Sequence, residues 1–248
     1  MHLILTGATG IVGSSALYHM LNTPAVSKIS ILSRRPVPMA EGHNKVNVII
    51  QTDYNNYPSE VLAQLKGAEG CVWAQGVSAL HVTKEEYVKI THDYPLAAAR
   101  AFTSLPDPPK PFKFVYVSGE GATTSPGMFT QYFGRIKGRA EAALLALSKD
   151  SSYTNLRVFS VRPGGVDPTS HPEILSYIPQ RQGALKVADK VLLPILHVVG
   201  PGILTPTKDL GRVLTDLAMG NGEALDGKGV EDEGRTLSNA GLRRLAGL

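Results

Sequence analysis

Residues 6–17 read TGATGIVGSSAL, and this stretch decides the fold. It joins a short apolar run, HLIL (2–5), to a segment with helical periodicity. Gly7, Gly10 and Gly13 form a G-x-x-G-x-x-G pattern at that junction. The three have separate tasks: Gly7 permits the tight turn, Gly10 lets backbone approach a pyrophosphate, and Gly13 lets the helix pack against the strand. The helix start then presents free N–H groups and a partial positive charge to phosphate. Three glycines alone make only a turn, but with a strand before and a helix after they predict a dinucleotide site. Thr9, Ile11 and Val12 are expected to touch the same ligand.

Further along the chain, the next apolar run ends in LSRRP (32–36). NAD-preferring sites place an Asp or Glu about 20 residues beyond the loop, on the ribose 2′-hydroxyl. Here Ser33 is followed by Arg34 and Arg35, whose guanidinium groups suit a 2′-phosphate or stack on adenine. The alternative is a solvated basic pair. With the loop in place, the pair favours NADP over NAD as cofactor. Two more strand ends belong to the same expected crevice, since ligands of open α/β sheets lie beyond the carboxyl ends of the strands. Asp53 and Tyr54 are expected near the adenine, although Asp53 also suits a loop cap. Ala74, Gln75 and Gly76 are expected beside the adenosine ribose.

The runs HLILTG (2–7), KISILSR (28–34), VNVIIQTD (46–53), GCVWAQG (70–76), FKFVYVSG (112–119) and LRVFSVRP (156–163) are near-continuously apolar, as in strands buried on both faces. Helical patterns separate them; in residues 134–148, Ile136, Ala140, Ala143, Leu144 and Leu147 recur at helical spacing. Strand–helix alternation predicts a doubly wound α/β fold with a parallel sheet. Past residue 165 the pattern loosens. A helix is expected over 207–220, with Thr207 as N-cap and Gly220 as stop. Residues 220–235 read as a polar surface loop and 238–248 as a short closing helix. The expectation is one domain over 1–248, with 165–248 forming the substrate-side cover.

The 248 residues are 43% hydrophobic and 19% charged, which predicts a packed globular core. The net charge of +4, with a pI near 9.1, is scattered and has no basic stripe with interleaved aromatics, so no nucleic-acid partner is expected. Cys71 is alone and reads as a small buried apolar residue. No cluster of Cys or His has metal-ligand spacing; His171 and His197 stand alone, so no metal is expected. The apolar segment 187–204 is interrupted by Pro194, His197, Gly200 and Pro201 and falls short of the ~20 apolar residues of a membrane span. The amino-terminal residues read as strand rather than leader. These features predict a soluble cytoplasmic protein with a small-molecule substrate; oligomeric state is not readable.

Taken together, TGATGIVG, LSRR, WAQG, VSGEGA, IKGRAE and RPGGV, in that order and spacing, resemble the short-chain dehydrogenase/reductase superfamily. The match is to its atypical and extended branches, and within them to Tat-interacting-oxidoreductase-like and nucleoside-sugar-epimerase-like members. It covers roughly the first two-thirds of the chain. The resemblance implies that Ser118 orients a substrate carbonyl, that Lys137 binds the nicotinamide ribose, and that Pro163, Gly164 and Val166 lie near the nicotinamide. The family also carries a proton-transferring Tyr four residues before the Lys, on the same helix face. That position here is Phe133; Tyr132 stands one residue earlier, about 100° round the helix.

Three readings stay open. Tyr132 is brought round by an irregular helix start and acts as acid/base. Or another donor serves, such as Ser118, Tyr177 or water. Or the protein binds NADP without ordinary redox turnover, as a non-redox isomerase or cyclase or as a cofactor-sensing regulator. Tyr132 also reads simply as a pocket-wall aromatic, and Lys137 as a solvated helix lysine. Met128, Phe129, Phe133, Ile174 and Tyr177 are expected to make an apolar substrate pocket. The expected function is that of an NADP(H)-dependent oxidoreductase acting on a small apolar carbonyl metabolite. No G-x-S-x-G elbow occurs, which argues against a hydrolase.

Overall fold

The computed structural model describes residues 1–106, 110–180 and 196–248. Six parallel strands form the centre: β1 (His2–Thr6), β2 (Lys28–Ser33), β3 (Val46–Ile50), β4 (Gly70–Trp73), β5 (Phe112–Val117) and β6 (Leu156–Val161). Their order across the sheet is 3-2-1-4-5-6. The chain therefore winds outward in both directions from β1, and the crevice of a doubly wound sheet opens where the order reverses, between β1 and β4. Thr6 at the end of β1 pairs with Leu32 on one side and Trp73 on the other, which brings the loops after β1, β2 and β4 together.

Alternation along each strand divides the side chains between two layers. Leu3, Leu5, Val72, Val115 and Phe159 face α1 (Ile11–Asn22) and two later helices. Ile4, Cys71, Trp73, Phe114 and Val158 face α2 (Ser59–Leu65), α4 (Tyr94–Phe102) and α5 (Tyr132–Lys149). Burial on both faces is why these strands read as unbroken apolar runs. Between β4 and β5 the helical stretch is divided: α3 (Lys84–Val88) leads into a π-helical turn (Lys89–Asp93) and then α4, with Pro95 in its first turn.

The carboxyl-terminal region departs from the sequence reading. After β6 come β7 (Gly165–Asp167) and β8 (Leu204–Pro206), which pair in parallel as a separate two-stranded sheet. Next come α6 (Thr207–Met219), β9 (Val230–Glu231), β10 (Thr236–Leu237) and α7 (Asn239–Ala246). Residues 220–235 are thus not wholly loop: β10 joins β6 in parallel and β9 pairs antiparallel with β10, extending the main sheet to eight strands. Strands of two residues carry no detectable alternation, which hid them. Helix α6 begins at Thr207 rather than being capped by it; Pro206 holds the cap position and Gly220 ends the helix. Among the described residues no helix is long and apolar enough to cross a membrane, and no three His, Cys, Asp or Glu side chains gather as metal ligands. Of the apolar 187–204 segment, residues 187–195 lie outside the described residues.

Candidate functional site

The glycine loop has the geometry its pattern requires. Gly7 has φ of +69°, the left-handed region, and a Cβ there would lie 2.3 Å from the Ala74 carbonyl oxygen. The Gly10 amide donates to Gly7 O at 2.9 Å, closing the turn. A Cβ on Gly13 would lie 2.0 Å from the same Gly7 oxygen, so only glycine allows α1 to start this close to β1. At Gly10 an added Cβ would meet nothing nearer than 3.4 Å. No side chain caps α1 and no acidic residue lies in its first turn. Its leading N–H groups are free for an anion.

A cleft of about 470 Å³ lies in front of this helix start. Gly7, Thr9 and Gly10 line one wall, Ser33, Arg34 and Arg35 another, and Tyr54 with Ala74, Gln75 and Gly76 the rest. Ser33 shapes the turn after β2: its Oγ donates to Arg35 O at 2.7 Å and accepts from the Arg35 amide at 3.3 Å. Arg35 then reaches across, and its Nη2 donates to Thr9 Oγ1 at 3.2 Å. The basic pair is exposed but is not free in solvent; both members line the cleft. Gln75 donates its amide to Thr6 Oγ1 at 3.2 Å, while its buried Oε1 has no partner. An uncapped helix start, two guanidinium groups and an orphaned acceptor around one cleft fit the pyrophosphate of a dinucleotide.

Asp53 and Tyr54 separate. Tyr54 is buried, edge-on to Trp73 with ring centroids 5.9 Å apart, and lines the cleft from beneath. Burial pushes its phenol up to about 12, and Arg34 pulls the other way. Asp53 is exposed; its Oδ1 accepts from the Asn55 amide at 3.0 Å in a local turn and does not line the cleft. Its carboxylate serves as a loop cap, the role short acidic side chains take in turns.

At the ends of β5 and β6, Ser118 is buried, its amide donates to Val161 O at 2.8 Å, and its Oγ has no partner. Lys137 stands on α5, half-buried, with Nζ 2.6 Å from Ser118 O and 3.5 Å from Val117 O. Its pKa is lowered to about 8 by burial, against the pull of the Glu141 carboxylate. Ser118 and Lys137 are brought together. Tyr132 is not brought to them: its hydroxyl donates to Lys84 O at 3.1 Å, and its ring packs against Tyr87 at 5.8 Å and under the Lys84 ammonium at 5.7 Å. The regular start of α5 sends Tyr132 onto α3, and no irregularity turns it back. Phe133 occupies the face above Lys137, its ring beside Gly121, where a Cβ would lie 3.4 Å from ring Cζ.

Beyond β6, Pro163 is buried and its carbonyl accepts from the Glu120 amide at 2.9 Å. The Gly164 amide donates to Thr205 Oγ1 at 2.9 Å, and Val166 pairs with Thr205 in the small sheet. The expected substrate pocket is only partly assembled. Met128, Phe129 and Phe133 line an open cleft of about 630 Å³ together with Glu120, Thr130 and Gln131. Met128 and Phe129 are 87% and 94% exposed, so this is a rim rather than an enclosure. Ile174 is fully buried in the core against α1, and Tyr177 is part-exposed and outside that cleft. The cover contributes Pro179 to the dinucleotide cleft instead.

No protein-family model matches the chain. Leucinostatins biosynthesis cluster protein T of Purpureocillium lilacinum is 37% identical over 260 aligned residues, covering 98% of this chain and 94% of that one. The chain belongs to the family of that cluster protein. Botcinic acid biosynthesis cluster B protein 16 of Botryotinia fuckeliana is 46% identical over 140 residues, covering 55% of this chain and 87% of the relative. Among solved structures, the PhqB reductase domain from Penicillium fellutanum superposes with a TM-score of 0.64 at 16% identity, over 88% of this chain and 64% of that one. The Bordetella bronchiseptica enzyme WbmF in complex with NADH gives 0.66 at 14% identity, over 99% and 75%. The chain shares the doubly wound α/β fold of these two proteins.

In this family member, sequence reading missed one buried group beside Lys137. Glu141 lies one helical turn further along α5 and is 2% exposed. Arg162, directly after β6, grips it with two arms: Nε to Oε1 at 3.0 Å and Nη2 to Oε2 at 2.6 Å. The Arg162 Nη1 reaches Glu231 Oε2 on β9 at 2.7 Å. The helical spacing of Lys137 and Glu141 was visible in IKGRAEAAL; the partner 21 residues away was not.

Proposed function

We propose that this protein binds NADP(H) in the cleft between the ends of β1, β2 and β4 and acts as an oxidoreductase on a small apolar carbonyl metabolite. The observation that carries the reading is the uncapped start of α1 facing Arg34 and Arg35 across one cleft. A nicotinamide dinucleotide, when bound, supplies or accepts a hydride. Gly7, Gly10 and Gly13 hold the pyrophosphate, Arg34 and Arg35 the 2′-phosphate, Gln75 Oε1 an adenosine-side hydroxyl, and Lys137 the nicotinamide ribose. Ser118 Oγ, buried and without a partner, donates to the substrate carbonyl oxygen. Phe133, with Met128 and Phe129 at the open rim, offers an apolar surface to the rest of the substrate. We read residues 1–248 as one such unit, with 165–248 contributing its substrate-side cover. Two of the relatives are named as biosynthesis cluster proteins, which supports a role on a small-molecule metabolite.

A second reading rests on Tyr132. Tyr132 has its hydroxyl committed to Lys84 O, and Phe133 in the phenol position has no proton to transfer. This favours NADP binding without ordinary redox turnover, as a non-redox isomerase or cyclase or as a regulator. The test mixes purified protein, NADPH and a panel of apolar aldehydes and ketones and follows loss of reduced cofactor. Turnover on any member supports the oxidoreductase. Tight NADPH binding with no oxidation across the panel supports the second reading, and absence of binding sinks both.

A further inference from the structure

Burying an ion pair in a protein core is seldom the most stable solution; apolar side chains of the same volume usually do as well or better. Arg162 and Glu141 are nonetheless both buried, at 7% and 2% exposure, and locked together through two arms of the guanidinium. The pair lies one turn from Lys137 on the same face of α5. Among the described residues no carboxylate forms a salt bridge with Lys137; its ammonium leans only on the carbonyls of Ser118 and Val117. An ammonium has three N–H donors and two are directed to those carbonyls, so one remains for a ligand. Glu231 adds a second carboxylate to Arg162, so two cations and two anions balance across α5, β6 and β9.

We propose that Glu141, fixed in the core by Arg162 one helical turn from Lys137, is a positioning residue for the cofactor lysine: its charge keeps the Lys137 ammonium protonated in the crevice, so dinucleotide affinity depends on a carboxylate that does not touch the dinucleotide. The proposal rests on the reading of Lys137 as a cofactor ligand. Two opposed effects act on Lys137. Burial favours the neutral amine, and Glu141 favours the ammonium. Burial wins in part, leaving the lysine near 8 and within reach of ordinary pH. Loss of the Glu141 charge lowers it further and leaves the amine neutral at pH 7.5. Neighbouring elements carry other titratable groups, each otherwise engaged. Tyr116 of β5 donates its hydroxyl to Thr91 O, and His92 and Asp93 of the π-helical turn pair with each other at 2.8 Å. Glu120 accepts from the Asn239 amide, and Tyr87 of α3 packs on Tyr132.

The experiment titrates NADPH into the protein from pH 6 to 9.5 and reads affinity by fluorescence. In wild type, affinity falls through a break near pH 8. Lys137→Met removes the break and controls for titration of the dinucleotide itself. Glu141→Gln moves the break down by about a pH unit and weakens binding about threefold at pH 7.5. If that variant does not fold, Glu141→Gln with Arg162→Lys keeps a cation beside Glu231, removes the same single negative charge and carries the same expectation. Glu141→Asp, which keeps the charge, restores most of the affinity. A wild-type break that stays in place in both Glu141 variants overturns the positioning role and leaves the cofactor reading intact. A wild type with no break, or Lys137→Met binding as wild type does, overturns the cofactor role of Lys137 and the positioning role with it.

Discussion

At the ends of β1, β2 and β4, the groups suited to phosphate stand open to the cleft: an uncapped helix start, two guanidinium groups and the lone Gln75 oxygen. At the ends of β5 and β6 the balance differs. Ser118 Oγ is free and Lys137 has a donor to spare, yet the tyrosine hydroxyl is spent on Lys84 O and a phenyl ring fills its usual place. One side of the crevice is equipped for binding, and the other lacks one component of proton transfer. On the proposed reading, the contrast teaches that dinucleotide binding and proton transfer are separable on this fold, since different strand ends carry the groups each would need.

The largest effects should come from the binding side. Gly13→Ala forces a methyl group into the Gly7 carbonyl and should cost about 2–4 kcal/mol of unfolding free energy in urea titrations. Gly10→Ala has room in the fold, so melting should stay near wild type while NADPH affinity drops more than about tenfold. Equal damage by both would blur the distinction between a packing glycine and a ligand glycine.

On the other side, Phe133→Tyr restores a phenol one turn before Lys137. If carbonyl reduction occurs, the rate should rise about tenfold to a hundredfold, within the range a placed general acid supplies. An unchanged rate would mean proton transfer does not limit that half. Replacing Arg34 and Arg35 together by Ala should weaken NADPH about 10–100-fold and NADH by less than about threefold.

Legibility in the sequence followed the same boundary. The six central strands were visible because burial on both faces writes unbroken apolar runs, and the glycine loop because each glycine answers a separate steric demand. The turn that carries Arg35 back to Thr9 depends on Ser33, adjacent in sequence, so that wall was legible too. The rest needed tertiary contacts. Tyr132 points where it does because α3 lies beneath it, and nothing in YFGRIKG encodes α3. Ile174 sits in a Pro-rich stretch without periodicity, yet α1 buries it fully. The strands β9 and β10 are too short to alternate, although β9 supplies Glu231 to Arg162.

Smaller effects sharpen the comparison. Lys137 titrates lower in the folded chain than its ordinary 10.5, so the unfolded chain holds the extra proton between about 8 and 10.5. Stability therefore rises as pH climbs through that window and is flat below it, as far as this group is concerned. Lys137→Met should remove that rise and melt slightly higher than wild type at pH 7. The smallest effect should be Tyr132→Phe, which loses one exposed hydrogen bond to Lys84 O and should leave any turnover within about twofold. A large loss of rate would return Tyr132 to the chemistry.

The central claim is that the glycine loop and the Arg34–Arg35 turn form one NADP(H) site. Calorimetric titration of the wild-type protein with NADPH and, separately, NADH tests it most directly. The account predicts one NADPH bound per chain, at least about tenfold tighter than NADH. Equal affinity for the two, tighter NADH, or no heat from either would contradict it.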